Sequence, residues 1–289
     1  MNLKGKTVVI FGGKTGLLGQ ALTKALTYIG AKPVPLSSSD CDMLDLMSVE
    51  KILNRRDPDL IINAAAYTHV DLAEDQEEMA FALNATAPPL LAALAAKRLI
   101  PFVHYSTDFV FRGNKTTPYS VYDETNPFSI YGISKAEGER NLLNLGYDKT
   151  LIIRISWLFG PGRTNFVEKI LDLCGTRDTL TVVDDQTGSP SYAPDIAINT
   201  LALLEKEATG TYHLANAGET TWHGLASAAV TLAGLDCSVE PVPSSAYPTK
   251  AVRPAYSVLD LSRFTQTTGK EPRHWREALH DYVTKDLKN

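Results

Sequence analysis

The chain of 289 residues contains 44% hydrophobic residues and carries a net charge of -5. This acidic balance, without a basic run, argues against a nucleic-acid partner, since such a binder places cations along the phosphate backbone. The cysteines, Cys41, Cys174 and Cys237, are widely separated and odd in number, so we expect neither a disulfide framework nor a zinc site. The N-terminus shows no signal peptide and no apolar run approaches ~18 residues, so we expect a cytoplasmic protein without a membrane partner.

The first half of the chain alternates predicted strands with predicted helices. The uncharged run from Thr7 to Phe11 is typical of a strand covered on both faces, and apolar residues recur at helical spacing from Leu17 to Ile29. The alternation continues with strands near 33–36, 60–63, 102–105 and 150–155 and helices near 48–55, 83–94 and 131–145. This pattern predicts an α/β protein whose residues 1–160 form a Rossmann-type, doubly wound parallel sheet.

After Phe159 the composition of the sequence and the length of its predicted elements change. The segment GPGR is followed by shorter elements with more proline and glycine, and by helices near 194–204 and 222–232. We predict that residues 161–289 form mainly a smaller α/β substrate domain, and that one or two of their elements pack back on the first domain.

Residues 11–19, FGGKTGLLG, allow two interpretations. Gly-Lys-Thr suggests a nucleoside triphosphate loop, but the further glycine that this motif needs falls on Val8, inside the predicted strand. Gly13, Gly16 and Gly19 instead lie between a strand and a helix, where a dinucleotide pyrophosphate can approach the backbone and the helix N-terminus. A plain tight turn is the alternative, and the flanking strand and helix favour the dinucleotide turn.

The segment YGISK places Tyr131 and Lys135 four positions apart, on one face of a predicted helix. A neighbouring ammonium group would lower the pKa of the phenol, which makes Tyr131 a candidate general acid or base. Thr107 or Ser106, at the end of the fourth predicted strand, could supply a hydroxyl for the same substrate oxygen. An exposed tyrosine beside a solvated lysine is the alternative, and the hydroxyl and the glycine turn argue against it.

Longer motifs extend this pattern over nearly the whole chain. They are NAAAYTHVDLAE (63–74), STDFVFRG (106–113), YGISKAEGE (131–139), RISWLFG (154–160), DQTGSP (185–190), GTYH (210–213), RPAYS (253–257) and WREAL (275–279). Together they resemble the dTDP-4-dehydrorhamnose reductase family of the extended short-chain dehydrogenase/reductase superfamily.

The resemblance implies reduction of the 4-keto group of a nucleotide-linked 6-deoxy sugar, most simply to dTDP-L-rhamnose for cell-surface polysaccharide. Tyr131 would donate the proton, Lys135 would hold the nicotinamide ribose and tune Tyr131, and Thr107 would orient the carbonyl. It implies NADPH, with NADH possible, no metal site and a possible homodimer. The implied cofactor contacts are Gly13, Lys14, Gly16, Leu17, Leu18, Gly19, Asp42, Met43, Ala64, Ala65, Tyr67, Tyr131 and Lys135. The implied substrate contacts are Thr68, Val70, Thr107, Phe109, Tyr131, Trp157 and Arg253.

Several points stay open at the level of the sequence. Val70 and Trp157 could belong to the core, and Arg253 could form a surface salt bridge rather than bind a diphosphate. Lys14 could contact the 2′-phosphate of NADPH, since no arginine follows the second strand. Phe109 stands where the family commonly has tyrosine, and Arg112, where aspartate is common, has no assigned role.

Other functions compete with the reductase. Phe109 argues against a 4,6-dehydratase, because phenylalanine cannot transfer a proton where dehydratases carry a carboxyl group. An epimerase or a reductase of another sugar nucleotide stays possible. So does a non-catalytic cofactor-binding subunit, since the β subunit of methionine adenosyltransferase resembles this family. The intact set of Thr107, Tyr131 and Lys135 favours the enzyme.

Overall fold

A computed structural model describes residues 1–287 of the chain. Its strands are β1 (Thr7–Phe11), β2 (Lys32–Leu36), β3 (Leu60–Asn63), β4 (Phe102–Thr107), β5 (Thr150–Ile155), β6 (Leu158–Phe159), β7 (Thr179–Val183), β8 (Thr187–Gly188), β9 (Ser191–Tyr192), β10 (Gly210–Leu214), β11 (Thr220–Thr221) and β12 (Ser238–Val242). Its α-helices are α1 (Leu17–Tyr28), α2 (Leu46–Arg56), α3 (Val70–Ala73), α4 (Glu77–Phe81), α5 (Ala87–Lys97), α6 (Ile130–Leu145), α7 (Phe166–Cys174), α8 (Ala193–Glu205), α9 (Trp222–Ala233), α10 (Ser262–Thr268) and α11 (Trp275–Asp281). Short 3₁₀ turns lie at Asp108–Val110 and Ser244–Ala246, and π-helical turns at Ala82–Thr86 and Tyr282–Asp286.

Six strands form the central sheet in the order β10-β5-β4-β3-β1-β2, and every pairing is parallel. The chain runs outward from β1 to β2 and then returns to β3 on the other side of β1. The strand order therefore reverses between β1 and β3, and the carboxyl ends of these strands are where such sheets bind ligands. The predicted Rossmann-type α/β fold is confirmed.

Alternating side chains of the sheet face two separate apolar layers. Val8 and Ile10 of β1 pack with α1 and α8 on one face, whereas Val9 and Phe11 pack with α2, α5 and α6 on the other. Strands covered on both faces need apolar residues at consecutive positions, which explains the uncharged runs in the sequence. The sixth strand, β10, comes from the later part of the chain and pairs with β5.

The later part of the chain builds its own apolar clusters around α7, α9 and α11. In the second of these clusters, Cys174 at the end of α7 and Cys237 just before β12 form a disulfide, although 63 positions separate them. The expectation of no disulfide is therefore wrong. Packing of α7 and of the β7–β12 pair against α9 brings the two cysteines together, and sequence spacing does not report such packing.

One helical segment, Glu77–Lys97, would be long and apolar enough to cross a membrane by length and composition alone. Half of its most apolar window is buried inside the protein. Leu91, Ala92 and Leu94 belong to the apolar layer beneath the central sheet, so part of this hydrophobicity serves the core.

Candidate active site

The glycine turn joins β1 to α1 at the reversal of strand order. Gly12 has φ of +77°, and a Cβ atom there would lie 2.8 Å from the amide nitrogen of Ala65. A Cβ atom on Gly16 would lie 2.7 Å from the carbonyl oxygen of Gly12. Gly16 caps α1 without a side-chain hydrogen bond, and the first turn carries no acidic residue. The backbone N–H groups at this helix end can therefore receive an anion.

A cavity of about 730 Å³ opens beside this turn at the carboxyl ends of β1, β3 and β4. Most of the predicted cofactor residues line it: Gly16, Leu17, Leu18, Asp42, Met43, Ala64, Ala65, Tyr131 and Lys135. The lining also includes Ser106, the alternative to Thr107, and residues that the sequence reasoning missed: Thr15, Ser37, Ser38, Cys41, Leu83 and Asp108. Ser106 and Asp108 stand on either side of Thr107, so the strand-end motif itself was the signal for them.

Four predicted cofactor residues are not among those that line the cavity. A Cβ atom on Gly13 would meet Pro35 at 2.8 Å and one on Gly19 would meet the Gly12 oxygen at 2.1 Å, so these two glycines allow the turn, strand and helix to pack closely. Tyr67 is buried, and its hydroxyl donates to Gln76 Oε1 at 2.8 Å.

Lys14 is the fourth, and it points to the surface. Its amine donates to Asp40 at 2.5 Å, and this hydrogen bond is the main reason why the pKa of Asp40 lies well below its usual value. The Lys14 and Asp40 side chains are 49% and 29% exposed, so solvent screens the pair. Lys14 therefore has a protein partner that any phosphate would have to replace.

Thr107 and Tyr131 meet at the floor of the cavity. Ser129 caps α6 by accepting a hydrogen bond from the Gly132 amide at 3.1 Å, which sets Tyr131 in the first turn. The ring of Tyr131 packs edge-on against Phe109, with centroids 5.5 Å apart. Burial raises the pKa of Tyr131 to about 12, although a hydrogen bond with Thr107 opposes this rise. Tyr131 is therefore a neutral phenol at pH 7.

The expected effect of Lys135 on Tyr131 is absent from this arrangement. Lys135 shares the helix face, but its amine donates to the Tyr105 carbonyl at 2.6 Å and lies 3.2 Å from His104 Nε2. The prediction that Lys135 lowers the pKa of Tyr131 is wrong here, because burial raises that pKa. Burial likewise lowers the pKa of Lys135 to about 8, against the attraction of Glu139.

Asp108 holds Thr107 in place. The hydroxyl of Thr107 donates to Asp108 Oδ1 at 3.1 Å and accepts from the Phe109 amide at 3.2 Å. Asp108 is 2% exposed, and its burial raises the pKa of the carboxyl to about 6. Asp108 Oδ2 and Ser106 Oγ are buried without a hydrogen-bond partner in the protein, although both residues line the cavity. Such orphaned polar atoms fit a site that receives a polar ligand.

A second cavity of about 680 Å³ adjoins the first. Trp157 and Trp222 stack in its wall, with ring centroids 3.7 Å apart and planes 8° apart, and Phe166 packs against Trp222. Of the predicted substrate residues, Phe109, Trp157 and Arg253 line both cavities, whereas Thr68 and Val70 line the first. Trp157 and Val70 are half-buried cavity residues rather than closed core. Sequence reasoning missed Trp222 and Phe166, which belong to no motif.

Arg253 makes a two-pronged contact with Asp71 in α3, with nitrogen–oxygen distances of 2.7 and 3.1 Å. This hydrogen-bonded pair holds the pKa of Asp71 below its usual value. Lys250 forms a further ion pair with Asp75. The segment around Arg253 is thus tied to the edge of the cofactor cavity. Arg112, which had no assigned role, lies with its guanidinium 4.5 Å from the centre of the Phe128 ring.

The parallel sheet, the glycine turn and the Tyr131–Lys135 pair on α6 define an extended short-chain dehydrogenase/reductase. Residues 6–288 match the family model described as the RmlD substrate binding domain. The chain belongs to this family.

Individual relatives agree with the family model. The chain is 39% identical to a dTDP-4-dehydrorhamnose reductase of Streptomyces griseus, over 92% of this chain and 90% of the relative. It is 37% identical to a dTDP-4-keto-6-deoxy-D-glucose reductase of Streptomyces niveus, over 92% and 93%. Its structure is similar to the crystal structure of dTDP-4-dehydrorhamnose reductase from Bacillus anthracis in complex with NADP, with a TM-score of 0.93, 30% identity and coverage of 98% and 99%.

Proposed function

We propose that this chain is an NADPH-dependent reductase of the 4-keto group of a dTDP-linked 6-deoxy sugar, converting dTDP-4-dehydrorhamnose to dTDP-L-rhamnose. The observation that carries this proposal is that Thr107 and Tyr131 line the first cavity beside Phe109, which lines both cavities and packs on Tyr131. The first cavity has the glycine turn of a dinucleotide site, and the second has the aromatic wall of a nucleotide-sugar site. Membership of the family supports the same activity.

The cofactor fits the first cavity. Gly12 and Gly16 leave no room for a Cβ atom, and the uncapped N-terminus of α1 presents N–H groups for a pyrophosphate. Leu17, Leu18, Asp42, Met43, Ala64 and Ala65 would hold the rest of the dinucleotide, with Gly13, Gly19 and Tyr67 shaping the walls. Lys14 would reach a 2′-phosphate by exchanging Asp40 for it. The bound reduced nicotinamide supplies the hydride, and NADH remains a possible substitute for NADPH.

The protein residues provide the proton and the orientation. A phenol with a raised pKa keeps its proton at pH 7, so Tyr131 can donate it to the oxygen that becomes an alkoxide during reduction. The Thr107 hydroxyl, which donates to Asp108 in this structure, would turn its hydrogen to the same oxygen and orient it. Lys135 would hold the nicotinamide ribose. The chemistry needs no metal, and no metal-binding group of three or more candidate side chains occurs in residues 1–287.

The sugar nucleotide would occupy the second cavity and extend its sugar into the first. Thr68, Val70, Phe109 and Trp157 would surround the sugar, and Arg253 would exchange Asp71 for the substrate diphosphate, which accepts two parallel hydrogen bonds as a carboxylate does. In this division residues 1–160 hold the cofactor and also contribute contacts to the sugar, whereas residues 161–289 supply most of the wall of the second cavity. We also propose a cytoplasmic enzyme, with a homodimer possible and without a nucleic-acid or membrane partner.

The test is oxidation of NADPH, followed by absorbance, with dTDP-4-keto-6-deoxyglucose in the presence and absence of a 3,5-epimerase. Oxidation only with the epimerase supports dTDP-L-rhamnose formation, whereas oxidation without it favours the reaction for which the Streptomyces niveus relative is named. Tyr131→Phe should lose about 10²-fold or more in kcat while it retains NADPH binding. No oxidation in either mixture, with cofactor bound, would overturn the proposal and favour the non-catalytic subunit.

A further inference from the structure

His104 is a buried residue of β4 that the proposed mechanism does not use. It is fully buried, as is Asn63 on the neighbouring strand β3, and Lys135 is 1% exposed. The Nδ1 atom of His104 lies 3.2 Å from Asn63 Nδ2, and its Nε2 atom lies 3.2 Å from the amine of Lys135. The imidazole thus links Asn63, at the end of β3, to Lys135 on α6, which lines the cofactor cavity.

The hydrogen bonds assign the position of the imidazole proton. The Ala65 amide can only donate, and it donates to Asn63 Oδ1 at 3.1 Å, which orients the asparagine amide. Asn63 Nδ2 then points a hydrogen at His104 Nδ1, and this ring nitrogen must accept. The proton of the neutral ring is therefore on Nε2, where it faces Lys135.

This orientation disfavours the charged form of Lys135. An ammonium group beside His104 Nε2–H would place two donors against each other, whereas a neutral amine accepts the proton with its lone pair and still donates to the Tyr105 carbonyl at 2.6 Å. Burial keeps His104 neutral by holding its pKa well below the usual value.

The other charged groups around Lys135 do not fully offset the preference for its neutral amine. Glu139 on the same helix attracts a cation, but it is engaged by Arg154 of β5 through bonds of 2.6 to 3.1 Å. Tyr131 is neutral and offers no negative charge to the ammonium of Lys135. Burial raises the pKa of Asp108, so this carboxyl is only partly ionised near pH 6.

We propose that His104, oriented by Asn63, is a positioning residue that makes the ammonium form of Lys135 a stronger acid, so that Lys135 returns a proton to Tyr131 after each turnover through a water or hydroxyl in the cavity that both side chains line, not by direct contact. The transfer is balanced: Lys135 as ammonium and Tyr131 as phenolate become neutral amine and neutral phenol, and the amine regains a proton from water. The role in turnover rests on the proposed function, but the protonation states do not.

The first test uses the wild-type protein without substrate. In protein labelled with ¹⁵N-histidine, the ring nitrogen shifts of His104 should show the proton on Nε2. In protein labelled with ¹⁵N-lysine, a pH titration follows the amine of Lys135. In His104→Gln, the amide oxygen can face the amine and accept from it, so the pKa of Lys135 should rise by about one unit or more. The alkaline limb of kcat/KM should move by the same amount.

His213→Gln is the matched control, because His213 is also buried and lies beside a cation, 3.4 Å from Arg154, without contacting Lys135. It should leave the alkaline limb in place. A proton on His104 Nδ1 in the wild type, or an unchanged pKa of Lys135 in His104→Gln, would overturn the proposal. If His104→Gln does not fold, the wild-type ring shifts decide. Because these shifts need no turnover, their failure is distinguishable from failure of the sugar reaction.

Discussion

Replacing Gly12 by alanine should damage both folding and cofactor binding. The residue has φ of +77°, and its added Cβ atom would lie 2.8 Å from Ala65 N and 2.9 Å from Ala64 C and O. These neighbours are backbone atoms of the segment after β3, so they cannot move aside by a change of rotamer. The substitution therefore combines an unfavourable backbone conformation with a steric overlap.

Each effect has a known size. The left-handed conformation costs a residue with a Cβ atom about 1–2 kcal/mol, and forced overpacking costs a further ~1–3 kcal/mol. Gly5→Ala is a matched control, because Gly5 has φ of +76° but no atom within 4 Å of its added Cβ. Gly5→Ala should lose only the conformational part, ~1–2 kcal/mol, against ~2–5 kcal/mol for Gly12→Ala.

Urea denaturation of both variants measures these losses, and titration of NADPH fluorescence measures cofactor affinity. Gly12 lines the cofactor cavity, so Gly12→Ala should also weaken NADPH binding, whereas Gly5→Ala should not. Equal losses of stability in the two variants would refute the steric argument. Equal NADPH affinity in Gly12→Ala and the wild type would show that the turn does not contact the cofactor.

Two further predictions concern stability. Asp108, with a pKa raised from 3.8 to about 6 by burial, binds its proton more tightly in the folded state, so its ionisation should contribute a loss of about 3 kcal/mol of stability as pH rises from about 4 to about 6, separate from the contributions of other groups. Asp108→Asn should therefore be more stable than the wild type at pH 7, and urea denaturation should show that advantage shrinking toward pH 4. Reducing the Cys174–Cys237 disulfide, or Cys237→Ser, should destabilise the protein by about 2–4 kcal/mol. A thermal melt with and without dithiothreitol measures this loss. Cys41→Ser is the control, because Cys41 is outside the disulfide and the variant should stay sensitive to reductant. A melting temperature that dithiothreitol does not change in the wild type would contradict the prediction.

The parts of the site that follow from sequence are those encoded by local patterns. The buried runs of β1 and β4 and the glycines of the turn specify where the sheet ends and α1 begins. Tyr131 and Lys135 share a helix face because they are four positions apart. These patterns were sufficient to predict the parallel sheet and the identity of its strand-end residues.

Interactions between segments that are distant in the chain cannot be predicted from such local patterns. The spacing of Tyr131 and Lys135 on α6 does not show that the amine of Lys135 contacts the Tyr105 carbonyl and His104 of β4. For this reason the sequence predicts a lowered pKa for Tyr131, whereas burial raises it. The Cys174–Cys237 disulfide depends on the packing of α7 and the β7–β12 pair against α9. Trp222, on α9, lines the cavities where it stacks on Trp157, which lies far from it in sequence.

The shared walls of the two cavities locate the reaction. Thr107 and Tyr131 line only the cavity that holds the glycine turn, whereas five residues line both: Phe109, Trp157, Phe166, Trp222 and Arg253. A sugar nucleotide in the aromatic cavity must therefore extend its sugar past these shared residues for its carbonyl oxygen to reach Tyr131. Because the single hydrogen of the Thr107 hydroxyl points to Asp108 Oδ1, Thr107 can donate to that oxygen only by turning away from Asp108. The geometry thus favours a substrate whose reacting carbonyl lies at the end opposite to its nucleotide.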